Sequence, residues 1–100
     1  MIYIRTKENQ GKHDLAVGNW ARQVIVAGWS RVWSDLPGNI KPPVVGGFIP
    51  DIYANHNGQE YIIEIETQDS VSATHALAQK AVFQRWANNS TIRRFEIKVV

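Results

Sequence analysis

Two rhythms of apolar residues run along the chain. Between Glu8 and Ala27, the residues Val17, Trp20, Ala21, Val24 and Ile25, followed by Gly28, recur at intervals of three and four. That spacing predicts one buried stripe on a helix. Thr6 is placed to cap this helix and Gly28 to stop it. The helix is expected from about Glu8 to Ala27; Gly11 and Gly18 disfavour helix and offer a start nearer Lys12 as the alternative. A second helix is expected from Ser70 or Ser72, either of which can cap it, to about Ala87. Its apolar sector is Ala73, Ala76, Leu77, Phe83 and Ala87, with Lys80 and Gln84 inside the sector and Gln79 just off it. The other rhythm is that of strands, rich in aromatic and β-branched residues, at residues 29–33, 48–54, 59–67 and 94–100. Asp35-Leu36-Pro37-Gly38-Asn39 reads as a loop, and Pro42-Pro43 keeps the following stretch extended. The order is helix, three strands, helix, strand, so an α/β fold with a mixed sheet flanked by helices is expected.

The strongest local signal is Asn57-Gly58, which predicts a two-residue hairpin turn. His56 then pairs with Gln59, and counting back along the ladder sets Asp51 directly opposite Glu64. In the alternation of pair types this is a non-hydrogen-bonded pair, with Cβ atoms ~5 Å apart. Glu66 lies two residues on and shares the face. That face carries Asp51, Glu64 and Glu66 beside Ile49, Tyr53 and Ile62. The opposite face carries Phe48, Pro50, Ile52, Ala54, Tyr61, Ile63 and Ile65, and is a core face. Like charges set opposite each other destabilise a sheet. The three acids are therefore either a solvated face or the oxygen donors of a divalent cation.

Composition narrows the classes. A chain of 100 residues with 44% hydrophobic content is one packed domain's worth, residues 1–100. No apolar run approaches the ~20 residues that span a bilayer. The opening Met1-Ile2-Tyr3-Ile4-Arg5 lacks the long apolar stretch of a signal peptide. Cysteine is absent, which excludes disulfides and thiolate metal sites; a cytoplasmic setting is the expectation. The formal charge of +2 permits a polyanionic partner without demanding one. The four tryptophans favour packing over stacking on unpaired bases.

Pro50-Asp51, an interval of a dozen residues, then Glu64-Ile65-Glu66-Thr67 resembles the core motif of the PD-(D/E)XK nuclease superfamily. Restriction endonucleases, Holliday junction resolvases and recombination exonucleases belong to that superfamily. Its αβββαβ core matches the expected order over nearly the whole chain. The resemblance implies a restriction endonuclease-like fold and a magnesium- or manganese-dependent deoxyribonuclease acting on DNA. It makes Asp51 and Glu64 metal ligands, with the Ile65 carbonyl as a third. Glu66 stands where most members carry Lys, and would position water or bind metal. Gly28-Trp29-Ser30-Arg31-Val32 resembles the resolvase-like branch; Gln79 with Phe83 resembles the Gln-x-x-x-Tyr signature of exonuclease-like members, with Phe for Tyr. The Glu that resolvase-like members carry on the first helix has no clear match; Glu8, His13 and Asp14 lie nearest.

Other residues carry two readings each. Lys80 either replaces the motif Lys or runs its stem along the core with its charge in water. Gln79 either contacts substrate or is a surface residue. His13, His56 and His75 have no metal-ligand spacing among themselves. Catalysis would rest on Asp51, Glu64, Glu66, Lys80 and Gln79. A rival function is a non-catalytic module of the same fold that binds nucleic acid or protein, a reading that Glu66 in place of Lys keeps open. A domain this small has little surface for specificity, which makes a homo-oligomer plausible.

Overall fold

The computed structural model describes residues 5–100; residues 1–4, and with them most of the opening stretch that bears on a signal peptide, lie outside that range. The elements are α1 (Lys7–Val26), β1 (Arg31–Ser34), β2 (Ile52–His56), β3 (Gln59–Glu66), α2 (Thr74–Asn88) and β4 (Arg93–Val99). The order is the expected αβββαβ.

Helix α1 starts at Lys7, one residue before the expected Glu8; because Thr6 caps it, Gly11 and Gly18 do not push the start on to Lys12. The Thr6 backbone is extended and its Oγ1 accepts the Asn9 N–H at 3.2 Å. At the far end Gly28 takes φ +103°. Its N–H reaches the Ile25 carbonyl and the Trp29 N–H reaches that of Val24, which closes the last turn. The buried stripe is His13, Val17, Ala21 and Val24; Ile25, expected in it, is exposed.

The sheet is ordered β1-β2-β3-β4. β1, β2 and β3 pair antiparallel, and β4 joins β3 in parallel after the α2 crossover. A parallel neighbour requires such a crossover. The hairpin register is the expected one, with His56 on Gln59 and Ile52 on Ile63. Asn57 and Gly58 both take positive φ, as a type I′ turn demands. β2 begins only at Ile52, not at Phe48. Pro50 has no N–H to give a ladder, and residues 45–48 form a separate turn in which Val45 and Phe48 bridge each other.

One sheet face packs Ile52, Ala54, Tyr61, Ile63 and Ile65 against Val17, Ala21 and Val24 of α1. The other packs Tyr53 and Ile62 against Phe83 of α2. Phe48 belongs to this second cluster, opposite to its expected face, because residues 45–51 leave the strand path. Trp20 and Trp29 pack on the first cluster, Trp33 and Trp86 on the second.

Helix α2 starts at Thr74. Neither Ser70 nor Ser72 caps it; Ala73 holds that position without a side-chain bond. Its buried line runs through Ala76 and Phe83, with Val82 and Trp86 beside it. Leu77, Lys80 and Gln84, expected inside the sector, are exposed, and Gln79 is half-buried. No helix among the described residues is long and apolar enough to cross a membrane.

Candidate functional site

The site forms where β2 fails to extend. Upstream of Ile52 the chain still runs beside its neighbours, but side chains take over ladder bonds. The Asp51 carbonyl accepts the Asp35 N–H at 2.9 Å. The Asp51 N–H donates to Glu64 Oε1 at 3.0 Å, and the Ile65 N–H donates to Asp51 Oδ2 at 2.8 Å. Asp51 and Glu64 are thus cross-bonded, each carboxylate held by backbone of the other's strand region. Ile65 enters the site through its N–H.

Asp51 Oδ2 also meets His13 Nε2 at 3.2 Å, while His13 Nδ1 lies 3.1 Å from Asp14 Oδ1. His13 is buried on the α1 stripe. With a carboxylate on each ring nitrogen, both nitrogens act as donors only in the imidazolium. Burial lowers its pKa, but the bond to Asp51, the Asp51 charge and Asp14 outweigh it, and the net shift is upward.

Glu64 and Glu66 are buried as well, at 5% and 6% exposure. Desolvation, then the Asp51 charge, push the Glu64 carboxyl up to about 10, against the opposing Asp51 N–H. Without a cation Glu64 therefore keeps its proton near neutral pH. Glu66 Oε2 accepts from Ser70 Oγ at 2.6 Å and pairs with Arg5 Nη2 at 3.6 Å. Ser70 is buried and also takes the Thr67 N–H at 3.0 Å. It serves the strand end rather than the helix start.

Asp51, Glu64 and Glu66 open together on one cleft of about 270 Å³, where Asp35 adds a fourth acid and Arg5 a guanidinium. Gln79 and His75 stand on its α2 wall. Lys80 lies outside this cleft, on a smaller hollow of about 50 Å³ that Gln79, Glu64 and Glu66 also line. Of the residues singled out from sequence, Asp51, Glu64, Glu66 and Gln79 share the cleft, and Lys80 flanks it. His56 lies at the hairpin, away from the cleft. Arg5, Asp35 and Ser70 carried no sequence signal; His13 did, by falling on the buried stripe of α1, four residues before Val17.

Among the described residues, no three His, Asp or Glu side chains converge to hold a metal ion by themselves. The donor chemistry of a smaller set fits a hard cation: two carboxylates side by side, one retaining a proton that a cation would displace, at a cleft with room for water. No family model, no curated protein and no solved structure matches this chain.

Proposed function

We propose that this protein is a metal-dependent deoxyribonuclease on a restriction endonuclease-like, PD-(D/E)XK core. The observation that carries the reading is the cross-bonded Asp51–Glu64 pair, Glu64 buried and Asp51 half-buried, set at a strand end and open to a cleft beside the first turn of the crossover helix. The αβββαβ order and the hairpin register agree with it. Asp51 and Glu64, with the Ile65 carbonyl, would hold magnesium or manganese. The bound cation would acidify a water and offset charge on the leaving oxygen. Glu66, fixed by Ser70, orients that water; His13 fixes the Asp51 carboxylate; Gln79 faces the substrate from α2. Lys80 lies exposed beyond the cleft and is assigned no step.

A second reading has a specific observation in its favour. Asp51 is already satisfied by Ile65 and His13, as a purely structural carboxylate would be. The chain would then be a non-catalytic module that binds nucleic acid or protein. Titration of magnesium and manganese against branched, single-stranded and duplex DNA separates the two. Metal-dependent cleavage that Asp51→Asn abolishes supports the nuclease. Binding that survives Asp51→Asn, without cleavage by the parent, supports the module. A cytoplasmic setting and a homo-oligomer belong to the same proposal.

A further inference from the structure

The electrostatics of the cleft pose a problem for any anionic substrate. Asp35, Asp51, Glu64 and Glu66 line it, with Asp35 paired to Lys41 Nζ at 2.6 Å and Asp51 to His13 Nε2 at 3.2 Å. A divalent ion held by Asp51 and Glu64 offsets their charge but not that of Glu66, and a phosphodiester brings one more negative charge. Among the described residues, Arg5 is the one Lys or Arg side chain that lines this cleft.

Three features of Arg5 mark it as uncommitted. Its contact with Glu66 is 3.6 Å, well beyond the 2.7–2.9 Å of a charge-assisted hydrogen bond. Its Nε is buried with no hydrogen-bond partner among the described residues. A buried donor without an acceptor is costly and calls for an explanation. Glu66 also does not depend on Arg5, since Ser70 Oγ holds the same oxygen at 2.6 Å. Arg5 can leave Glu66 without stranding it.

Resting on the hydrolase reading above, we propose that Arg5 is the phosphate clamp of this cleft. Swung off Glu66 into the cleft, its planar fork presents Nε and an Nη to two oxygens of the DNA phosphate, the bidentate geometry for which guanidinium is suited. The free Nε gains its acceptor, and the guanidinium charge offsets the charge that grows on the phosphoryl oxygens. Arg5 transfers no proton and forms no covalent bond. It also sets the substrate's approach, because the phosphate must lie between the start of α1 and the Glu66 end of β3.

The test uses the full chain with Arg5→Ala and Arg5→Lys, on labelled duplex DNA. For Arg5→Ala the expected result is a kcat loss of about 10²–10³-fold, with the manganese-induced rise in melting temperature retained. Affinity for the duplex in calcium should weaken about tenfold or more. Added guanidinium at millimolar concentration should restore part of the Arg5→Ala rate and leave a Lys80→Ala control unchanged. Arg5→Lys keeps the charge beside Glu66 and loses the fork; it should fold like the parent and still lose at least about tenfold in kcat. Parental rates and affinity in both variants overturn the clamp while leaving the nuclease intact. Should Arg5→Ala not fold, a parental rate in Arg5→Lys overturns the clamp by itself. A parent that binds no manganese and cleaves nothing overturns the hydrolase reading, and the clamp falls with it.

Discussion

A buried carboxyl with no cation beside it keeps its proton, and Glu64 is in that position. Its folded pKa is about 10 against an ordinary 4.5. Between those values the folded state holds a proton that the unfolded chain has released. Metal-free stability should therefore fall as pH rises from about 5 to about 8, by on the order of 1 kcal/mol per unit. His13 acts in the same direction: its raised pKa gives stability that is full below the unfolded value and lost as pH climbs through the folded one. Glu96 acts at the other end. Burial works against its charge, but Tyr61, Arg94 and Lys98 hold its pKa down to about 2, so its contribution is lost as pH falls from 4.5 toward that value. Denaturant melts across pH, without divalent ions, should show highest stability in mildly acid solution. Glu64→Gln should flatten the decline above it; an unchanged slope in that variant would show that Glu64 ionises normally. Ser70→Ala is a second check at this scale. It strips an acceptor from the Thr67 N–H and a donor from Glu66, both buried, and should cost about 1–3 kcal/mol in the same melts. The sequence pointed to Asp51 and Glu64 because a two-residue turn converts numbering into register. It did not point to Ser70 or Arg5, whose roles depend on where the chain goes after leaving β3 and before entering α1.

Element positions were legible where a local device sets them. Thr6 fixes the start of α1 by its side-chain cap, and Gly28, Asn57 and Gly58 fix element ends by positive φ that few other residues adopt. Positions failed where the tertiary partner decides. The pattern of α2 offered Leu77 and Ala87 as core and left Trp86 out. The sheet face it covers presents Tyr53, Ile62 and Phe95, and Phe83 with Trp86 fits that surface better, turning Leu77 toward solvent. Stability of point variants reads this rotation directly. Phe83→Ala should cost about 3–5 kcal/mol, whereas Leu77→Ala should stay within about 0.5 kcal/mol. A large loss for Leu77→Ala would restore the sector expected from sequence. The turn before β2 follows the same logic. Gly46 takes φ +59°, and a Cβ there would overlap Val82 on α2, so the loop's passage depends on a missing side chain. Gly46→Ala should destabilise by more than about 1 kcal/mol, and Val82→Ala in the same chain should recover only the steric part, because the backbone strain persists.

Across the whole molecule, the order of elements and the mixed sheet follow from the sequence, since a hairpin, a long helix and a last strand leave few ways to cover both sheet faces. Whether the strand-end acids serve a cation depends on how many converge, which the pattern of faces alone does not decide. Sequence placed three of them on one face; the fold pairs Asp51 with Glu64 and turns Glu66 to Ser70 and Arg5. A two-carboxylate site has a thermodynamic consequence for the entire fold. A cation that binds only the folded chain stabilises it by mass action, by about 1.4 kcal/mol at tenfold excess over Kd. For a domain of this size that raises the melting temperature by roughly 6 °C or more. Because binding at the pair expels the Glu64 proton, the rise should be larger at about pH 8 than at about pH 6. Manganese and magnesium should both produce it. Asp51→Asn should abolish it, since one anionic donor is lost. Glu64→Gln should abolish it too, while raising metal-free stability at alkaline pH by removing the titrating group. Lys80→Ala, altering only a flanking residue, should leave it intact. A melting temperature insensitive to both ions at either pH would mean that the Asp51–Glu64 pair is a structural clasp closed by backbone N–H groups and His13, with the proton on Glu64 as its permanent counterpart to the Asp51 charge.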